Sequence, residues 1–368
     1  MTRRDRQREK RGYALPLMAS FALLMVTLTV WVCARNWPAA SAALRSVGNA
    51  VTALLGRLWA VVPLPLSELL LLLLPLLAAA LLVADGLRGG WPRLSRGLCR
   101  LLCVLCALLF CFVAFYGVQY TAPTLASRLG LTAAGATVEQ LEQTTAALAA
   151  DLNELAPQVP RDGNGQCVFG DYAGQAAPVM AAYEALTEQY PWLAAHRVAT
   201  PKRSRLLSVA MSYVGNAGYF FPWTGESVVG YDAIDPSIAF NVAHESAHAR
   251  GFGAEAECNF LAWLVCSGSA DVRARYSAAF NAYIYAGNAL YAADPTRWQA
   301  VSATLCDEAK LDLKALNAHI RQYDGPVKDL GESVNDHYIK ATGQPEGLRS
   351  YGLMVDLLIA WNEREGAQ

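Results

Sequence analysis

The sequence predicts a mainly α-helical protein: three N-terminal transmembrane helices, then a mostly helical outer domain with a small β-sheet. Two observations carry that expectation. Apolar residues make up 54% of the 368 positions against a charged fraction of 17%, and their excess lies in the first 120 positions. Beyond residue 121 the pattern is helical, punctuated by caps and Gly/Pro breaks, and strand signals are sparse.

Each of the three apolar runs reaches the length that crosses a bilayer, about 20 residues. The first, 14–32, contains LPLMASFALLMVTLTVWV; the second, 61–83, contains LLLLLLPLLAAALLV; the third, 101–120, reads LLCVLCALLFCFVAFYGVQY. None has a charge at its centre, although Glu68 lies near the start of the second. Basic residues crowd residues 1–13 (Arg3, Arg4, Arg6, Arg8, Lys10, Arg11) and the loop between the second and third runs (Arg88, Arg93, Arg96, Arg100), and are sparser elsewhere. The positive-inside rule therefore predicts a cytoplasmic basic tail (1–13), a multi-pass anchor (14–120) and an extracytoplasmic domain (121–368). The first run is longer than a signal-peptide core, which argues against cleavage there. The net charge of −1 offers no attraction to nucleic acid. Five of the nine cysteines lie in or beside the apolar runs; Cys167, Cys258, Cys266 and Cys306 fall in the outer domain, where pairing is left open.

In the outer domain, Thr137-Val-Glu-Gln reads as a capping box opening a helix to about residue 155. Further helices are expected over 176–189, 272–292, 296–323 and 348–365, with strands over 206–214 and 227–231. A helix starting at Asp235 (N-cap) and Pro236, and ending at Gly251, carries HESAH at 244–248. His244 and His248, four apart, project from one helix face as two ligands of a tetrahedral zinc would. Glu245 stands where it can take a proton from a zinc-bound water. A catalytic zinc needs a third protein ligand. Glu255 and Glu257 both follow closely, and they point about 160° apart on a helix starting near Ala254. Glu255 is preferred because Asn259, four residues on, then shares its face and can hydrogen-bond a ligand histidine. Glu257 is the alternative ligand. The lone His196, His319 and His337 have no such company.

HExxH followed by Glu255-x-x-x-Asn259 resembles the gluzincin pattern. The glycine three positions after His248 resembles the metzincin one, but Ala254 occupies the third metzincin ligand position and cannot bind metal. The whole chain resembles a bacterial membrane family recorded only as a domain of unknown function, with three N-terminal spans and an outer HExxH domain. GYFFPWTGE (218–226), HESAHARGFGAEAECNFLAWL (244–264), Arg275–Ser277 and NDHYIKATGQPEGLRSYGLMVDLL (335–358) carry the resemblance. Cys258 and Ala256 depart from it, at positions usually alanine and often acidic, and neither touches a proposed ligand.

The resemblance implies a zincin-like domain acting as a zinc (Zn2+) peptidase at the outer face of a bacterial plasma membrane, with a peptide or protein substrate captured in extended form along the strand at 227–231. Tyr276 and Tyr338 are candidate catalytic groups for the oxyanion, with Arg275 and, more weakly, His337 beside them. The alternative is a non-catalytic zinc-binding membrane sensor or structural protein. Nothing in the sequence speaks to oligomeric state.

Overall fold

Helix breaks set by glycine, proline and capping side chains organise the chain. The computed structural model describes residues 3–133, 135–194, 197–341 and 351–366. His196 and residues 342–350, including the start of the expected C-terminal helix, lie outside the described residues. The chain divides into two units: residues 1–122 with 221–225, and residues 123–220 with 226–368.

The first unit contains α1 (Arg3–Asn36), α2 (Pro38–Trp59) and α3 (Leu66–Phe115). Two helices, not the expected three, are long and apolar enough to cross a membrane: α1 from Gly12 onward, and α3. The second and third apolar runs form the two arms of α3, on either side of a break at Gly89 (φ −153°, ψ 15°) and Gly90 (φ 58°, ψ −156°). The Gly90 conformation is open only to glycine. The two arms fold back on one another there. Asp85 and Leu82 lie against Gly97, although twelve residues of straight helix would separate Asp85 from Gly97 by about 18 Å.

Both arms turn leucines outward: Leu73, Leu76, Leu81 and Leu105 are exposed, the reverse of a helix in water. Helix α2 was not anticipated. It buries Ser41, Gly48, Thr52, Ala53 and Gly56, and these small side chains let backbones approach, as where Gly48 meets the Phe115 carbonyl. In the 221–225 turn, Trp223 Nε1 donates to the Leu108 carbonyl at 3.1 Å.

The second unit contains α4 (Leu125–Leu129), α5 (Val138–Leu155), α6 (Tyr172–Gln189), β1 (Lys202–Arg203), α7 (Ser208–Tyr213), β2 (Gly218–Phe221) and β3 (Glu226–Val229). After these come α8 (Asp235–Ala249), α9 (Glu255–Ser267), α10 (Val272–Ala293), α11 (Pro295–Ala303), α12 (Asp307–Arg321), α13 (Pro326–Ala341) and α14 (Tyr351–Gly366). The capping box at Thr137 and Gln140 forms in both directions.

Three expectations change. Residues 206–214 form the short helix α7, not a strand. The helix expected over 296–323 breaks into α11 and α12, because Asn153 of α5 intervenes: its amide donates to the Thr304 carbonyl and its oxygen accepts from Cys306 N. The N-cap of α8 is Ile234, while Asp235 accepts from Phe169 N at 2.7 Å and so ties down the preceding loop. All nine cysteines are free.

The sheet order is β1–β3–β2, with Lys202 and Arg203 parallel to Val228 and Val229. Strand β3 is thus central and buried, and β2 is an edge. The expected substrate strand at 227–231 therefore has both sides occupied.

Helix α8 is enclosed by α6, α9, α10 and β3. Side chains from all four fasten its backbone. The Tyr183 hydroxyl donates to the Ala243 carbonyl, Ser227 Oγ to the Glu245 carbonyl and Cys266 Sγ to the Ala239 carbonyl, while Ser277 Oγ accepts from Phe240 N. A helix held this way has little freedom to tilt, so whatever it carries is fixed in place.

A second polar knot lies across α10 and α12. Arg161 reaches Asp312 with two hydrogen bonds, at 3.1 and 2.9 Å, and Cys167 Sγ and the Tyr276 hydroxyl also converge on that carboxylate. Asp312 is 2% exposed, so removing it strands a largely buried guanidinium. Asp312→Ala is expected to lower stability by about 3–5 kcal/mol, read from urea unfolding by tryptophan fluorescence. A loss below about 1 kcal/mol would show that the knot contributes no more than a surface ion pair.

Candidate metal centre

Helices α8 and α9 meet at Gly251 (φ 91°), which ends α8 in the left-handed region, and restart at Ala254, the N-cap of α9. The short connection places Glu255 in the first turn of α9, where the helix N-terminus favours a carboxylate, opposite the histidine face of α8. His244 Nε2 and His248 Nε2 are 3.1 Å apart; Glu255 Oε2 is 3.3 Å from the first and Glu255 Oε1 is 3.5 Å from the second. Donors bound tetrahedrally at 2.0–2.2 Å lie about 3.3–3.6 Å from one another. The two edges to Glu255, one from each of its oxygens, fall in that range, and the edge between the histidines is slightly shorter.

The outer ring nitrogens are already engaged. His244 Nδ1 is 2.8 Å from Asn259 Oδ1, and His248 Nδ1 is 2.9 Å from the Phe252 carbonyl. Oxygen acceptors there require both Nδ1 atoms to carry protons, which assigns the tautomers from the network. A neutral imidazole has one N–H, so both Nε2 atoms are left with lone pairs directed at each other and at a carboxylate. Such a set repels itself unless a cation or a shared proton sits among its members. The donor chemistry fits a divalent metal.

The support extends outward. The Tyr285 hydroxyl donates to Asn259 Oδ1 at 3.3 Å, so one oxygen serves both His244 and Tyr285. Cys258 Sγ lies 3.3 Å from His248 Nδ1 and 3.4 Å from the Phe252 carbonyl. The thiol is therefore on the outer side of the ring and is not a fourth ligand. Burial raises the Cys258 pKa to about 11, against the pull of His248.

Glu245 is 4% exposed, and its Oε2 has no hydrogen-bond partner. Burial raises its pKa to about 7, with His244 and His248 pulling it down and Glu255 adding to the rise. Burial alone would also raise Glu255, but His248 and His244 hold it well below the usual carboxylate range. Burial opposes charge on His248, yet Cys258 and Glu255 lift its pKa well above that of a free imidazole. Two carboxylates in one site are thus driven apart, one toward permanent charge and the other toward easy protonation near neutrality.

The structure brings together His244, His248, Glu255, Asn259 and Glu245. It directs Glu257 away: Oε1 accepts from Leu125 N at 2.6 Å and anchors α4. Tyr276, a candidate for the oxyanion, is fully buried, with its hydroxyl on Asp312 in the Arg161 knot. Arg275 donates to the Ser269 and Ala270 carbonyls. Tyr338 is exposed on α13, and His337 Nδ1 faces the Ser333 carbonyl of its own helix.

Sequence reasoning missed three residues. Tyr285 stands behind Asn259. Tyr172 is half-buried, and its hydroxyl donates to the Pro201 carbonyl at 2.8 Å; desolvation raises its pKa against the pull of Arg203, and the Glu245 charge adds to the rise. At Gly218, the first residue of β2, a Cβ would lie 2.5 Å from Glu245 Oε1 and 2.8 Å from the Val228 carbonyl. Only the glycine within GYFFPWTGE gave any signal of this contact, and a glycine at a strand start reads first as a turn residue.

A helix bearing His-Glu-x-x-His, joined by a tight turn to a helix bearing a carboxylate and an amide, defines a three-donor centre with a buried neighbouring acid. Residues 45–359 match DUF3810, described as a protein of unknown function. The chain belongs to that family. Neither the curated proteins nor the solved structures returned a match.

Gly218→Ala is expected to destabilise the chain by about 1–3 kcal/mol through overpacking. Combining it with Glu245→Ala should recover at least about 0.5 kcal/mol of that loss, since the two sites touch. Strict additivity in a double-mutant cycle of unfolding free energies would contradict the contact.

Proposed function

We propose that the chain is a membrane-anchored zinc metallopeptidase. The observation that carries this reading is the triangle of His244 Nε2, His248 Nε2 and Glu255, with edges of 3.1–3.5 Å, beside a buried and half-unpaired Glu245. His244, His248 and Glu255 would hold the metal. When bound, zinc supplies Lewis-acid polarisation of a carbonyl and acidifies a coordinated water toward a pKa of about 7.

The protein's own groups account for the rest. Asn259 Oδ1 and the Phe252 carbonyl fix the tautomers so that both Nε2 lone pairs point inward. With three protein donors, a bound zinc would keep one position open, as a catalytic site requires and a structural site does not. Glu245 accepts a proton from the attacking water and returns it to the leaving amine; a general base works best with a pKa near ambient pH. Strand β2, which starts at Gly218 against Glu245, lies at an edge of the sheet, the place where an extended peptide would add by β-strand addition, the role first expected of residues 227–231.

The apolar faces of α1 and α3 support membrane anchorage. The distribution of arginines supports the further reading that residues 121–368 face outward.

Full-length protein in detergent is expected to bind one zinc per chain. Binding should be lost in Glu255→Ala and kept in Glu257→Ala. Absence of zinc from the unmutated chain under saturating metal would end the proposal. Asn259→Ala should weaken zinc affinity by about 10- to 100-fold, the usual effect of removing a partner of a ligand histidine. Glu245→Gln should keep the metal and lower hydrolysis of a quenched peptide library by at least about 100-fold. If Glu245→Gln matches the unmutated chain, the site is a structural or sensory metal centre.

A further inference from the structure

The fold-back of α3 leaves a cavity that the proposed peptidase site does not use. Asp85, Gly89, Arg93, Arg96 and Arg100 line a space of about 360 Å3. The three arginines recur at spacings of three and four, so they share one face of the second arm, and the reversal at Gly89–Gly90 brings that face onto the end of the first arm. Three arginines against one aspartate leave the cavity with a net charge of +2.

Asp85 Oδ1 pairs with Arg93 Nε at 3.3 Å. Arg96 Nε donates to the Pro92 carbonyl at 2.9 Å, and its stem packs on Gly12 of α1. The Tyr13 hydroxyl donates to the same carbonyl at 2.8 Å and lies 3.0 Å from Ser95 Oγ, pinning α1 to the elbow. Arg100 has no hydrogen bond or ion pair among the described residues. The elbow is built, and its outer guanidinium groups are available.

We infer that this cavity binds the phosphate of an anionic phospholipid headgroup. The inference rests on reading α1 and α3 as membrane-embedded. A planar guanidinium fork matches phosphate oxygens in pairs, which selects phosphate over a simple halide. The surroundings select a lipid over free phosphate. Leu87 and Trp91 flank the cavity at 85% and 71% exposed, and Leu98 and Leu102 on the second arm are exposed as well. Acyl chains can lie on those side chains while the headgroup sits among the arginines, and tryptophan favours the boundary between hydrocarbon and water. A free ion gains nothing from the apolar rim.

The test is native mass spectrometry of the full chain in detergent. It is titrated with phosphatidylglycerol and with phosphatidylcholine of the same acyl chains, with and without excess inorganic phosphate. Phosphatidylglycerol is expected to bind more tightly, and Arg96→Gln/Arg100→Gln to weaken it about twenty-five-fold, at roughly five-fold per cation near an anionic surface. Arg100→Gln alone removes a side chain with no described hydrogen bond, so it should fold normally and lose about five-fold. Arg88→Gln lies outside the cavity and should keep the preference.

Equal affinity for the two lipids, or unchanged binding by Arg100→Gln, overturns the site. Full displacement by inorganic phosphate overturns the lipid assignment in favour of a free anion. Alkaline extraction of expressing membranes checks the underlying reading separately. A chain released by carbonate is not embedded and the site falls with it; an embedded chain without lipid preference refutes the site alone.

Discussion

Two imidazole nitrogens that can only accept while both rings are neutral face each other across 3.1 Å inside a folded core, and much of the second unit is arranged to keep them there. Left alone, His244 and His248 would relieve the repulsion by rotating about their side-chain bonds or exchanging tautomers. Asn259 and the Phe252 carbonyl block both routes by holding the Nδ1 protons. Those acceptors are themselves located by the turn at Gly251 and by the helix that follows it. Helix α8 cannot slide to compensate, since Tyr183, Ser227, Ser277 and Cys266 fasten its backbone from four directions. A cluster of polar groups disfavoured in the core is thus maintained by packing around it, the pattern expected where structure is kept for function and not for stability.

The centre was legible because its logic is local. Helical periodicity alone puts His244 over His248, and the turn glycine is seven residues from the first histidine. Glu255 could be preferred over Glu257 because that choice needed only the phase of one helix, and Glu257 instead meets Leu125, more than 130 residues earlier. The contributions of Tyr285 and Tyr172 are long-range, and nothing in their own neighbourhoods marks them. Tyr276 was misjudged for the same reason: a tyrosine beside an arginine looks available until Asp312, 36 residues on, takes its hydroxyl. Strand and helix assignments failed where tertiary partners outvoted local pattern, as when Asn153 split one helical run into α11 and α12.

In the first unit, hydropathy identified the apolar runs correctly but could not count elements. The loop expected between the second and third runs is replaced by a sharp reversal at Gly89 and Gly90, seen in their dihedrals and in the approach of Leu82 to Gly97. Helix α2 escaped because its message is smallness: Ser41, Gly48, Thr52, Ala53 and Gly56 make a seam, and such residues register weakly on any hydropathy scale.

Gly218 offers a use beyond this one chain. Because its missing side chain is the space that Glu245 Oε1 occupies, position 218 records whether that carboxylate can stand where it does. Among DUF3810 sequences, those with glycine here and glutamate between the histidines can share the arrangement. Those with a bulkier residue must have shifted the strand or abandoned the acid, even with both histidines intact. A single residue 26 positions before the first donor would then sort the family into lineages that keep the acid and lineages that have let it go.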